Sequence, residues 1–495
     1  MHRISLIAPT NRAEERRSRM SRRLPDLQAD VLVIGSGAGG APTAALLAEA
    51  GHDVLVLEEG PLVRQGETVP FSLDQMDRQY RAGGVTAAFG SAAIAYTEGC
   101  CAGGGTEINS GLYRRPPENV LDRWRQTVDD LDPADVYATC DEVEKELSVQ
   151  AVPGAHLAAS EALRRGAERL GWRHDESPRW MDYSAGPDAR NGRRRSMSET
   201  YLPRAEAAGA RLLTDHRVDR LVIDGGRASR AEVTTNEGRR TVHVRDVFVC
   251  GGAIQTPALL QRSGLRGAVG RSLAVHPTVK LAARFPESLN VADDVPVHQV
   301  KEFAPDLSFG GSASSPGLVA LALSDSWDRF APAVREWRHF AVYYAAITSE
   351  GRGTVRAVPR LRDPIVTYRL TRRDRAVLGQ GLARLALLLL EAGATAVYPS
   401  YRGAPVVRRP ADLATMQATF STRRASLMTV HLCSTVPLGR HGTTPADSFG
   451  LVGGTRNVRV NDASLLPDAP GVNPQASVMA IAVRNARHYL DTATP

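Results

Sequence analysis

Three glycines and one acid carry the clearest chemical signal in this sequence. Gly35, Gly37 and Gly40 fall at the spacing G-x-G-x-x-G, and Glu58 closes the next apolar run. Gly35 permits a tight strand-to-helix turn. Gly37 lets the backbone approach a pyrophosphate with no Cβ in the way, and Gly40 lets a helix pack closely on a sheet. The free N–H groups of that helix's first turn favour phosphate. A carboxylate at Glu58 is placed to hold a ribose diol. The chemistry is dinucleotide binding, and this stretch alone leaves NAD and FAD both open.

The elements needed to position these residues are written around them. Val31–Ile34 reads as a buried parallel strand, Pro42 to Ala50 as an Ala/Leu-rich helix ended by Gly51, and Val54 to Leu57 as a second strand. Together they make one βαβ unit. A second glycine stretch, Gly103-Gly104-Gly105 followed by Thr106 and Asn109, reads as a loop of close backbone approach.

Composition sets limits. A chain of 495 residues is expected to form two or more lobes. The longest apolar segment, near Leu382 to Leu390, is too short to span a membrane. The Arg-rich start, with Ser21-Arg22-Arg23, lacks the apolar segment of an export signal. A loosely docked or disordered arm and a cytoplasmic protein are expected. The five cysteines show no metal-ligand spacing, so neither a disulfide framework nor a bound metal is expected. The net charge of +7 and the cluster Arg193-Arg194-Arg195 lack interleaved aromatics, so they read as solvated basic faces rather than a nucleic-acid site.

Along the chain, 61–98 shows no clear period and reads as a connecting excursion. Helices are expected over Pro133 to Leu147, Ala158 to Leu170, Asp374 to Ala392 and Gln475 to Leu490. Strands are expected at 211–214, around Val218, at 247–250, at 340–347, at 365–370 and at 458–460.

Five stretches, in order, resemble the glucose–methanol–choline (GMC) oxidoreductase family. They are the opening unit ending in LEEG, GGGTEINSGLYRRP (103–116), SETYLPRAEAAGARLLTDHRV (198–218) with VFVCGGAIQTPALLQRSG (247–264), GRSLAVHP (270–277), and HLCSTVPLG (431–439) with NVRVNDASLLPDAPGVNPQASVMAIAVRNA (457–486). The ending Gly471-Val472-Asn473-Pro474 is most similar to the cholesterol-oxidase-like branch. The resemblance implies an α/β fold: a Rossmann-like FAD domain with an interleaved α+β substrate domain containing an antiparallel sheet. The expected boundaries are 1–27 for the arm, 28–117, 196–280 and 427–495 for the FAD domain, and 118–195 and 281–426 for the substrate domain.

The resemblance also implies the site. Gly35, Gly37 and Gly40 would take the pyrophosphate, Glu58 the ribose, and Val218 the adenine through its backbone. Gly104, Gly105, Thr106 and Asn109 would line the flavin, with Asp462 and Gln475 near the ribityl chain and pyrimidine edge. Ile108 stands where some members attach FAD through a histidine, so non-covalent FAD is expected. His431 is expected to act as base toward an alcohol hydroxyl, with Asn473 orienting the oxygen and stabilising alkoxide charge. His276 reads as a structural turn near the cofactor, and a Cys433/His431 nucleophile pair finds no orienting third group.

The expected reaction is oxidation of an alcohol CH–OH to a carbonyl by hydride transfer to flavin N5. The expected substrate is a small molecule: a sugar, an amino sugar of aminoglycoside type, or another secondary-metabolite alcohol. Oxygen or a redox carrier would take the electrons. A sterol-like alcohol, a non-redox lyase or decarboxylase on the same scaffold, and a flavin binder without turnover are the alternatives.

Overall fold

The computed structural model describes residues 22–186, 192–290, 296–440 and 442–492. The first strand, β1 (Leu27–Ile34), is closed on both faces: Val31, Leu32 and Val33 have no exposed surface. That is why its sequence is continuously apolar rather than alternating. It runs parallel to β2 (Val54–Leu57) on one side and to Arg239–Val249 on the other. Arg211–Leu213 extends the parallel set beyond β2, and Val458–Val460 extends it beyond Arg239–Val249. The amino-terminal half of Arg239–Val249 instead pairs with an antiparallel hairpin, Arg227–Thr235 with His216–Asp224.

Helix α1 (Gly40–Glu49) crosses from β1 to β2. Eight of its ten residues are buried, and most are Gly, Ala or Thr, which permits close packing against sheet and neighbouring helices. Asn461 locks the layer, donating to the Thr43 hydroxyl at 2.8 Å and to the Ala482 carbonyl of the closing helix Gln475–Thr492 at 2.9 Å.

A second sheet of nine strands is mostly antiparallel. Its order is Thr86–Ala88, Ile94–Tyr96, Leu427–Thr429, Thr278–Arg284, Phe340–Ile347, Leu307–Ser312, His298–Val300 and His174–Glu176, with Ala396–Pro399 also on Thr278–Arg284. One face is apolar. Val279, Leu281, Tyr343, Ala345, Leu307 and Phe309 pack beneath helix Arg372–Glu391, which contributes Leu378, Leu382, Leu385 and Leu389. Each buried leucine is worth about 1.5–3 kcal/mol. A Thr371/Asp374 capping box starts that helix. The opposite face carries the alternate residues Lys280, Tyr344, Gln299 and Ser312.

Several segments depart from the sequence expectation. The 61–98 stretch is not merely a connection: it holds helix Leu73–Gln79 and two strands. Ile94–Tyr96 and Leu427–Thr429, expected within the FAD segments, pair with each other in the second sheet. Helices Glu118–Trp124 and Pro133–Glu146, expected in the substrate lobe, place Val120, Leu121, Trp124, Val136 and Cys140 in one cluster with Leu32 and Leu55. Short amphipathic helices carry no signal saying which core they cover. Of the basic arm, 1–21 lies outside the described residues. Its last part is docked, with Leu24 donating to the Arg239 carbonyl at 2.7 Å and Arg239 donating to that of Arg22 at 2.8 Å. Among the described residues no helix is long and apolar enough to cross a membrane, and all five cysteines are free.

Candidate active site

The motif residues converge at the carboxyl ends of the parallel strands, where open α/β sheets bind ligands. Gly35 follows β1 at φ +99°, and a Cβ there would lie 2.4 Å from the Cys250 carbonyl oxygen. A Cβ at Gly40 would strike the Gly35 oxygen at 1.9 Å, and one at Gly39 the Asn461 oxygen at 1.9 Å. Gly39, missed in the motif, is thus as sterically demanding as its neighbours. Gly37 differs: its nearest neighbour would be Gly104 Cα at 3.8 Å, and nothing lies within 4 Å of a Cβ on Gly105. The two glycine stretches face each other across this gap.

One hydroxyl ties the three nucleotide-side stretches together. Ser36 Oγ donates to Glu58 at 2.8 Å and accepts from the Gly103 N–H at 3.1 Å. Glu58 also accepts from the N–H groups of Ser36 at 3.1 Å and Gly60 at 3.0 Å. Burial raises its carboxyl pKa, and the Gly60 and Ser36 donors oppose that rise. His216, two residues before Val218, donates from its backbone to the Glu58 carbonyl. Asp462 is equally engaged: it accepts from the Gly252 N–H at 2.8 Å, the Thr256 hydroxyl at 2.5 Å and the Ser464 N–H at 2.7 Å.

The residues expected on the flavin side also meet. Thr106 braces its loop, donating to the Gly103 carbonyl and accepting from Met197 N–H. Asn109 donates to Gln475 Oε1 at 2.8 Å, joining the glycine loop to the start of the closing helix. Asn109 Oδ1 accepts from Arg194 at 3.1 Å. Arg194 therefore does not sit on a solvated face. It lies 5.4 Å from the Trp180 ring, and burial, with Arg179 nearby, pulls its pKa down to about 10.

His431 stands at the junction of the two sheets. Its Nε2 lies 3.4 Å from the Asn473 amide, and its Nδ1 lies 3.0 Å from His276 Nδ1. Cys433 takes no part, since its thiol donates to the Ala274 carbonyl. Burial, then the Lys301 charge, hold the His431 pKa down to about 4, and burial likewise keeps His276 neutral. His276 is no mere turn. Its Nε2 accepts the Gly471 N–H at 3.0 Å, so its own proton must sit on Nδ1. That proton points at His431 Nδ1, which leaves the His431 proton on Nε2.

The amides fit this assignment. Asn473 and Gln299 lie 3.4 Å apart, Gln299 reaches the Tyr344 hydroxyl at 3.5 Å, and Gln299 Oε1 is buried without a partner. Amide orientation follows from the network. Turning both amides lets Asn473 Oδ1 accept from His431 and Gln299 Oε1 accept from Asn473. Replacing His276 by phenylalanine would strand the Gly471 N–H and release the tautomer. We expect flavin reduction to slow about tenfold, equivalent to about 1.4 kcal/mol, with FAD content kept, as measured by anaerobic stopped-flow absorbance.

Sequence reasoning missed Lys280, Gln299, Lys301 and Tyr344. The available signal was polar residues on the alternate positions of otherwise apolar strands, which marks a wetted sheet face. Another metal-type grouping, His156, Glu161 and His298, lies on the far side of this sheet. There His156 sits between the carboxylates of Glu161 and Glu176, at 3.1 and 3.0 Å.

The site is thus a dinucleotide-type crevice beside a histidine–amide pair. Two models of the GMC oxidoreductase family match residues 76–278 and 349–482, more than half the chain, and a Rossmann-like NAD(P)-binding model matches 33–63. The chain belongs to the GMC oxidoreductase family. A GMC-type oxidoreductase of Sinorhizobium fredii is 38% identical, covering 94% of this chain and 95% of its own. A long-chain-alcohol oxidase of Arabidopsis thaliana is 26% identical, covering 92% and 68%. The fold is similar to that of pyridoxine 4-oxidase from Mesorbium loti, with a TM-score of 0.73 at 18% identity, covering 94% of this chain and all of that one. None of these relatives bears a sterol substrate in its name, and the cholesterol-oxidase-like placement stays a reading of one motif. The family cofactor, non-covalent FAD, fits the residues present. Side chains at Gly37 and Gly105 would project into the open gap between the two glycine stretches, and Ile108 offers no group for a covalent link.

Proposed function

We propose that this protein oxidises the CH–OH group of a small polar alcohol to a carbonyl. The carrying observation is the file His276–His431–Asn473–Gln299, which brings the last motif against the polar wall of the second sheet. FAD, when bound, supplies the hydride acceptor. In that role Gly37, Gly104 and Gly105 would make room for it, Glu58 and Val218 would serve its adenosine end, and Thr106, Asn109, Asp462 and Gln475 its flavin end.

We infer a different role for His431 from the one expected, supported by its contact with His276. A base needs a free lone pair at Nε2, but the neutral pair carries its proton there. In the resting tautomer His431 donates toward the substrate oxygen and stabilises developing negative charge. It accepts the hydroxyl proton only if the His276 bond reverses and the Gly471 N–H loses its acceptor.

The wall of Lys280, Lys301, Gln299 and Tyr344 suits a polar substrate better than a sterol, and its amines oppose a cationic amino sugar. The similarity to alcohol oxidases supports oxygen as electron acceptor. The test is anaerobic addition of alcohols to the purified holoenzyme. Bleaching of the oxidised flavin band with formation of an aldehyde or ketone is the expected result. Product formation with the flavin oxidised throughout would replace this reading with the lyase.

A further inference from the structure

We propose that the polar face of the second sheet is an anion subsite, so that the alcohol oxidised here carries a carboxylate or phosphate group. This rests on the reading of the site as an alcohol oxidoreductase and specifies its substrate.

The sequence has only three lysines, Lys145, Lys280 and Lys301, among 61 basic residues. Two of the three stand on this one wall. Register puts them there: Lys280 pairs with Tyr344, Tyr344 with Gly310, Gly310 with Gln299, and Gln299 with Asp175. Residues directly opposite share a face. Tyr344 lies across Gly310, where a Cβ would meet its hydroxyl at 2.4 Å. Lys301 follows Gln299 by two residues and so returns to the same face. It is close enough to depress both His276 and His431.

The charge on this wall is unbalanced. Lys280 Nζ has one bond, to Ser312 Oγ at 3.0 Å. Among the described residues no carboxylate lies within ion-pair distance of either amine. The nearby acid, Asp175, is held by both terminal nitrogens of Arg114, at 2.8 and 2.5 Å. Lys301 and Arg114 thus share one nearby carboxylate, and no charged partner is found for Lys280 among the described residues. Burial brings each lysine pKa down to about 8, with Arg114 adding to the effect at Lys301. Both amines still carry their charge at neutral pH. Half-buried ammonium groups with unmet donors gain from a partner of opposite charge, and an anionic substrate would pair them. Lys280 is four residues past His276, at most about 13 Å along extended chain. That span favours an alcohol and an anion at opposite ends of a short chain or an aromatic ring.

The probes are hexanoate and phosphate for binding, read by perturbation of the flavin spectrum of the oxidised holoenzyme. For turnover they are 6-hydroxyhexanoate and 4-(hydroxymethyl)benzoate against 1-hexanol and benzyl alcohol, with glycerol 3-phosphate as the phosphate arm. Hexanoate or phosphate should bind, and Lys280→Met and Lys301→Met should each weaken that binding by about 10- to 100-fold, as for a charged hydrogen bond. The kcat/KM ratio of anionic to neutral alcohol should fall by a similar factor. The carboxylate and phosphate arms distinguish the two sources. Absence of anion binding, binding indifferent to both substitutions, or a preference for the neutral alcohols would overturn the proposal. Lysine-dependent binding with no alcohol reducing the flavin would keep the subsite and overturn the alcohol reading instead.

Discussion

His431→Ala should bind FAD as the unsubstituted protein does, yet its flavin should be reduced by alcohol roughly two to four decades more slowly, the scale of losing a positioned proton-transfer or donor group. The retention of FAD follows from position. His431 lies just beyond Leu427–Thr429, at the seam with the second sheet, whereas the residues proposed to hold the nucleotide cluster at the carboxyl ends of the parallel strands. The loss of rate follows from its neighbours. The imidazole links His276 to Asn473, and the Thr429 hydroxyl caps its backbone, accepting its N–H at 3.2 Å and donating to its carbonyl at 3.1 Å. With its pKa down at about 4, the ring is neutral above that pH. The reduction rate should therefore show no histidine titration from this residue between about pH 5.5 and 8. Anaerobic stopped-flow measurement of flavin bleaching checks both statements. Unaltered rates in the variant would remove His431 from the chemistry.

Gly35→Ala and Gly37→Ala should fail in different ways. At Gly35 the backbone is left-handed and the added methyl collides with the Cys250 carbonyl. That carbonyl cannot yield easily, because Cys250 N–H is bonded to Ile34 at 2.7 Å within the parallel sheet. Overpacking costs about 1–3 kcal/mol, and the left-handed conformation about 1–2 kcal/mol more. The variant should melt lower and purify with little flavin. At Gly37 the methyl has room against the protein, so the melting temperature of the apoprotein should be unchanged. The same methyl would project into the space proposed for the cofactor phosphates, and the flavin-to-protein ratio should fall tenfold or more. Circular dichroism melting and flavin absorbance of the two purified variants separate the cases. A Gly37→Ala protein with full flavin would move the pyrophosphate away from this turn.

What the sequence determined by itself is local, or repeats a pattern that physics makes local. β1, α1 and β2 are legible because a strand closed on both faces must be continuously apolar, a close helix crossing requires small residues, and a left-handed turn against a carbonyl requires glycine. The helix written from Asp374 is observed at Arg372–Glu391, and the strand at 458–460 is observed as written. His431 and Asn473 were singled out by motif, and the fold does bring them together.

What only the tertiary structure decided involves pairings between distant parts of the chain. Ile94–Tyr96 and Leu427–Thr429 lie side by side although more than 300 residues separate them, and nothing in either short run names its partner. The meeting of His276 and His431, 155 positions apart, underlies the donor role proposed for His431. The tautomer depends on one backbone N–H, that of Gly471, which no side-chain pattern encodes. The lysine wall arises in the same way. Lys280, Gln299 and Tyr344 share a face because sheet register aligns them, and register is set by burying the opposite apolar face under helix Arg372–Glu391. The sequence carries that apolar alternation plainly, but which polar residues it delivers to the flavin side is settled only when the whole sheet packs.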